Sequence, residues 1–450
     1  LRNETGRKKQ VKAKTYWTSS NEKKLSKVIN NNERVTVADN YQITDETKVE
    51  LHDLFRGEQE DGFILVGRQD IGSYVSVPAE AIEIFDLLGS GKTVGDVKKI
   101  LEEKYGEEVE IEEFVEDMIT NELVKRVDGF EIATTSQVQK DLFSKITAEH
   151  VGWMFSTNAW RVYLGMAVGC LVLFAVFPGY IPRPHDFFFH PWYSVAVGSL
   201  FFFGWTLTAI HEMAHLFAAK SVGTEGYFSL SNRLIFIVAQ TNLGNIWTVP
   251  REKRYIVYFA GIAWDTVIIF VCLMLLFFSD YGTITIPALW YNFLKAIVFI
   301  KVWGIIWQFR FNMQTDIYYA VANYFKCKNL LGDAQTNIKN ILSPLIRFNY
   351  VDMGDTPDYE MKAIKWYSLL YFVGTSVTLA TYFFRTIPLL LLQVVKAYSG
   401  ITAGYATSPR DFTDAVVLVV LNGFNYGLLG FLILRPRWDR LKRELRAVFA

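Results

Sequence analysis

The 450-residue chain reads as an α-helical polytopic membrane protein of about six transmembrane helices, with a cytoplasmic α+β, winged-helix-like domain at its N-terminus. Three observations predict this class. The composition is 51% hydrophobic and 16% aromatic, with 35 Phe, more apolar surface than a water-soluble core of this size consumes. Six apolar runs are each long enough to cross a bilayer, whose core takes about 20 helical residues. Ahead of them, residues 61–130 pass from period-2 to helical spacing over the length of a small domain.

Four regions are expected: a basic flexible arm at 1–60, the winged-helix-like domain at 61–130, a linker at 131–158 and the membrane domain at 159–450. The arm is rich in Lys, Asn, Glu and Thr, and residues 1–30 carry 9 Lys/Arg against 2 Glu. Such a composition buries little and stays solvated; Lys8, Lys9, Lys12 and Lys14 are alternatively placed to touch anionic lipid. It is also too polar for a signal peptide. In the next region Phe63 to Val66 and Tyr74 to Val77 alternate like two short strands around the turn-rich Gln69-Asp70-Ile71-Gly72. Helical spacing follows at Ala79 to Leu88, Thr93 to Tyr105 and Ile111 to Leu123. Residues 61–130 carry 7 Lys/Arg against 17 Asp/Glu. A nucleic-acid surface needs the opposite sign, so no nucleic-acid partner is expected.

The apolar runs are Val162 to Tyr180, Trp192 to Ala219, Tyr255 to Phe278, Pro287 to Trp307, Trp366 to Leu392 and Ala415 to Leu434. Lys and Arg cluster before the first run, between Lys220 and Arg254, between Arg310 and Lys365, and in the tail Arg435 to Arg446. By the positive-inside rule both termini face the cytoplasm of a multi-pass cell-membrane protein, which six spans permit. Trp205, Trp264 and Trp303 sit mid-span, where packing is the expected role. Cys170, Cys272 and Cys327 are scattered and define no disulfide framework.

Residues 211–215, inside the second run, read His-Glu-Met-Ala-His. On a helix, positions i and i+4 share a face, so His211 and His215 can ligate one Zn²⁺ with Glu212 as general acid/base. Ionisable residues are costly in a membrane span and usually mark function, and three stand here within five positions. A catalytic zinc site usually offers three protein ligands and one open position. The third is expected from another span at the depth of His211 and His215, and Asp316 is the best-placed carboxylate.

Two resemblances extend this reading. Residues 61–130 resemble a PqqD-like domain, the peptide-recognition element of ribosomal-peptide maturation. The two strands carry that resemblance, with Ala81 to Leu88 before Gly91-Lys92-Thr93-Val94, Leu101 to Tyr105, and Phe114 to Leu123 followed by Val124. From about Trp160 to Gly332 the chain resembles intramembrane metalloproteases of the site-2 protease family, in the branch associated with peptide maturation and export. Here Asn312 and Thr315-Asp316-Ile317-Tyr318-Tyr319 correspond to that branch's Asn-Pro-x-x-x-x-Asp-Gly-Tyr-Tyr, and Asn329-Leu330 to its Asn-Leu. The resemblance implies zinc ligation by His211, His215 and Asp316, with Glu212 catalytic. Ile317 and Met313 replace the family's Gly and Pro, and Ile262 and Asp265 its Pro and Asn in Phe259 to Asp265. Asn242 and Asp265 are candidate substrate or oxyanion contacts; Asp265 is equally readable as a helix-packing group. Leu234 to Val249 corresponds to the family's strand-like insertion, able to pair with an extended substrate or to form a simple surface hairpin.

The implied function is a zinc-dependent membrane-embedded endopeptidase, cutting a peptide or membrane-associated precursor near the cytoplasmic face during bacterial maturation of a ribosomally synthesised modified peptide. Expected partners are the precursor, the lipid bilayer, and a peptide-modifying enzyme or exporter. The alternative is a non-catalytic zinc-containing docking or export factor. A transporter would predict internal repeats, and none is evident.

Overall fold

Strand β4 (Phe63–Arg68) and strand β5 (Ser73–Pro78) form where alternation predicts them, paired antiparallel from Phe63↔Pro78 to Arg68↔Ser73. In the computed structural model the described residues are 14–15, 43–60, 62–106, 109–132, 143, 145–327, 329–346, 350–354 and 356–449. Most of the expected arm and part of the linker lie outside them. The chain divides into two compact units, one of residues 1–143, 224–227 and 242–250, the other of 144–223, 228–241 and 251–450.

In the first unit the sheet order is β1-β5-β4-β3, with β1 at Lys14–Thr15 and β3 at Phe55–Glu60. A second sheet joins β2 (Val49–Leu51), β6 (Val124–Val127) and β7 (Phe130–Glu131) in the order β2-β6-β7. The fold thus begins before residue 61, inside the expected arm. The reason is visible in β3, Phe-Arg-Gly-Glu-Gln-Glu, an edge strand too polar to show an apolar alternation. Helices α1 (Ile82–Gly89), α2 (Val94–Tyr105) and α3 (Ile111–Thr120) bury Phe85, Leu88, Val97, Leu101, Phe114 and Met118 against Val66 and Val75. A capping box starts α2: Thr93 Oγ1 accepts from the Asp96 amide at 3.1 Å, and Asp96 accepts from the Thr93 amide at 3.3 Å. Asn245 also belongs to this unit; it accepts from the Tyr74 hydroxyl at 2.8 Å and donates to the Gln69 carbonyl at 3.2 Å.

Among the described residues, six helices of the second unit are long and apolar enough to cross a membrane. They are α4 (Thr157–Val176), α5 (Tyr193–Ser221), α6 (Arg251–Asp280), α7 (Ala288–Trp307), the run Asp358–Ala403, and the Pro409–Arg435 part of a longer final helix. Within Asp358–Ala403 a π-helical turn occupies Tyr382–Thr386, just ahead of Pro388. Proline has no N–H and its ring clashes with the carbonyl four residues back, so a widened turn there relieves both. Cys170, Ile269, Cys272, Leu273 and Val298 form a core shared by α4, α6 and α7. All three cysteines are free. Trp303, expected to pack, is instead 51% exposed on the outside of α7.

Between α5 and α6 the chain forms a hairpin of β8 (Tyr227–Arg233) and β9 (Phe236–Asn242), turning at Leu234 with φ 53°. The hairpin therefore begins at Tyr227, before the expected Leu234, and ends at Asn242, short of the expected Val249. Residues Gly244–Thr248 are a short 3₁₀ turn.

Candidate metal centre

Helix α5 carries His211 and His215 one turn apart, as the i, i+4 spacing requires, and both are buried. Asp316 comes from a different element. It is the first residue of a short helix, Asp316–Tyr324, entered through Gln314 in the left-handed region at φ 50°. Gln308 fixes this entry: its side-chain oxygen accepts from the Asp316 amide at 3.1 Å, and its carbonyl accepts from the Thr315 hydroxyl at 2.6 Å. Met313 ends a 3₁₀ turn, Phe311–Met313, and Ile317 lies in the first turn of the short helix.

Three ligand atoms converge. His211 Nε2 lies 3.1 Å from Asp316 Oδ2, His215 Nε2 lies 3.3 Å from the same oxygen, and the two Nε2 atoms are 3.3 Å apart. On the far side of each ring, His211 Nδ1 faces Asp265 Oδ2 at 3.0 Å and His215 Nδ1 faces the Val257 carbonyl at 2.8 Å. A carboxylate and a carbonyl only accept, so in the neutral rings both Nδ1 atoms carry the proton and both Nε2 atoms present lone pairs. Three acceptors this close repel unless a cation or added protons lie among them. A tetrahedral Zn²⁺ with bonds of about 2.0–2.2 Å separates its ligands by about 3.3–3.6 Å, a little wider than the observed 3.1–3.3 Å. The donor set, two imidazoles and a carboxylate, suits zinc, and the Nδ1 partners are of the kind that orient metal-binding histidines.

The packing beside the cluster depends on a glycine. Gly261 on α6 faces it so closely that a Cβ there would stand 2.5 Å from both Nε2 atoms. Glu212 is buried beside His211 and His215, and Thr241 of β9 holds it: the Thr241 hydroxyl is 2.8 Å from Glu212 Oε2 and 3.1 Å from the Glu212 carbonyl. The structure thus gathers His211, His215 and Asp316. It places Asp265 behind His211, at Nδ1, away from the converging ligand atoms. Asn242 ends β9, and the strand residue whose hydroxyl meets Glu212 is its neighbour Thr241.

Three residues of this environment were not singled out for a role from the sequence. Thr241 gives no signal, because its contact depends on the hairpin's path. Gly261 stands in a quoted motif, but only the packed helices show what its missing side chain admits. Lys301, on α7, pairs with Asp265 Oδ1 and donates to the Leu207 carbonyl at 3.0 Å. A charge within an apolar run was its available signal.

No protein-family model matches the chain, and no curated protein or solved structure is significantly similar to it.

Proposed function

We propose that this chain is a zinc-dependent, membrane-embedded endopeptidase that cleaves a peptide or membrane-associated precursor. The observation that carries the reading is the convergence of His211 Nε2, His215 Nε2 and Asp316 Oδ2 within 4.8 Å, with a buried glutamate adjacent to the first ligand. When bound, zinc supplies a Lewis acid for the scissile carbonyl and an activated water at neutral pH. The chain's own residues do the rest. Glu212 accepts the proton of the attacking water and returns it to the leaving amine, and Thr241 keeps its carboxylate from turning away. Asp265 and the Val257 carbonyl hold the two rings in the ligating tautomer.

Six apolar helices with exposed Leu164, Leu171, Phe202 and Phe384 support a membrane setting, because water would not tolerate so much apolar surface. The Lys/Arg distribution supports a topology with both termini and the β8–β9 hairpin on the cytoplasmic side. An extended substrate can add to an edge of that two-stranded sheet by main-chain pairing. The acidic N-terminal unit is read as the precursor-binding domain, in the setting of modified-peptide maturation in bacteria. A test is to co-express wild-type protein and Glu212→Ala with candidate precursor peptides and sequence all new N-termini. Termini unique to the wild type support the protease; identical sets favour the non-catalytic docking or export reading.

A further inference from the structure

We propose that Lys301 is a positioning residue of the metal centre, acting through Asp265 on His211; this rests on the zinc reading above. Lys301 is 6% exposed and Asp265 4%. They come from neighbouring helices, α7 and α6, and His211 comes from a third, α5. Each Asp265 oxygen has its own partner, Oδ1 the Lys301 ammonium and Oδ2 the His211 Nδ1–H. The ammonium is anchored in turn by the Leu207 carbonyl, one helical turn before His211. Lys301 therefore reads the position of α5 directly through Leu207 and indirectly through the ring of His211.

The charges explain why the arrangement takes this form. A carboxylate among apolar helices is costly when unpaired, and so is an ammonium. Paired, each removes the other's penalty, and the carboxylate is left with one oxygen for the imidazole. That oxygen fixes the ring orientation and makes Nε2 a better donor. Without Lys301, Asp265 would be a buried carboxylate whose only remaining partner is the histidine, free to leave the geometry that aims Nε2 at His215 and Asp316.

The experiment measures zinc affinity of the full-length protein in detergent by competition with a chromophoric chelator. It compares wild type, Lys301→Met, Asp265→Asn and the double variant, with visible spectra of the Co²⁺-substituted forms. Lys301→Met is expected to bind zinc about 10–100-fold more weakly, the range for lost outer partners of metal ligands. Its Co²⁺ bands should shift. The double variant removes both charges while keeping an amide oxygen for Nδ1–H, so it should bind more tightly than either single variant. A packing role alone would give additive losses without this rescue. Should Lys301→Met fail to fold, Asp265→Asn against the double variant decides the matter. Wild-type affinity in Lys301→Met, or no rescue in the double variant, overturns the proposal and leaves the zinc reading standing. Absence of zinc from the wild type overturns both.

Discussion

The Thr241 hydroxyl stands between two oxygens of one residue, 2.8 Å from Glu212 Oε2 and 3.1 Å from the Glu212 carbonyl. A hydroxyl has one proton to give and lone pairs with which to receive. With Glu212 ionised, Thr241 donates to the carboxylate. With Glu212 protonated, it can accept from the carboxylic acid and donate to the carbonyl. The same contact therefore serves both states that a general acid/base must visit. Thr241→Val keeps the shape and removes this service. It should lower kcat about 10–100-fold, corresponding to the roughly 1.5–3 kcal/mol of a hydrogen bond to a charged group, with zinc content unchanged. Thr241→Ser should retain most activity. Peptide-cleavage kinetics and metal analysis of the three proteins check this, and loss of zinc in Thr241→Val would refute it.

Ligands and base should separate cleanly. About one zinc per chain is expected in the wild type. Glu212→Ala should keep it and lose cleavage, since the base is not among the converging donors. Asp316→Ala should lose both, because two imidazoles alone leave the site a ligand short. Zinc retained in Asp316→Ala would exclude Asp316 as the third ligand.

Gly261 allows a test that does not depend on substrate. Alanine is the better helix former by about 1 kcal/mol, so Gly261→Ala should not weaken α6 as a helix. Its Cβ, however, would fall 2.5 Å from both Nε2 atoms. The expected outcome is helical content equal to wild type with zinc lost or strongly weakened. Circular dichroism and zinc titration report the two quantities independently. Full zinc binding in this variant would mean that the rings lie elsewhere.

Legibility followed physical range. The pair His211 and His215 was readable because helical geometry is local, and Asp316 because its position at the matching end of an apolar run narrows the choice of carboxylates. The six apolar helices were readable from composition and length alone. By contrast, β3 was missed because Phe55–Glu60 is a polar edge strand. Thr241 and Lys301 depend on how a hairpin and three helices meet, which no spacing encodes. Asp265 was legible as a polar group in a span, but its position behind His211 was not.

The N-terminal unit should show an acid-sensitive point at Asp70. The hydrogen bonds from Arg68, at 2.6 and 3.0 Å, hold the Asp70 carboxyl below its ordinary value. A depressed folded-state value gives stability that is present above the unfolded value, about 3.9, and is lost as pH falls through the folded one. Protonation would weaken the pairing of Asp70 with Arg68, which is 5% exposed. Hydrogen exchange in β4 and β5 should therefore accelerate below about pH 4 in the wild type. It should depend less on pH in Asp70→Asn, which starts from the weakened state. Identical profiles for the two proteins would remove Asp70 as the cause.

If the N-terminal unit binds precursor, its loss should be felt according to substrate length. The unit carries its own core around Phe85, Leu88 and Phe114, while the converging ligand atoms and Glu212 all belong to the other unit. Binding energy gained far from the scissile bond raises the local concentration of substrate without altering the chemistry at the cut. Deleting residues 43–132 should therefore depress kcat/KM for a full precursor much more than for a short peptide spanning only the cut site. Asn245, which bonds Tyr74 and Gln69, would lose both partners in that deletion. The control is accordingly Tyr74→Phe, which removes one of those bonds and leaves the domain in place. If Tyr74→Phe lowers cleavage of both substrates equally while the deletion discriminates between them, recognition and support of the Gly244–Thr248 turn are separate roles. Equal losses on both substrates in the deletion itself would mean that the domain supports the fold, and the recognition role would be withdrawn.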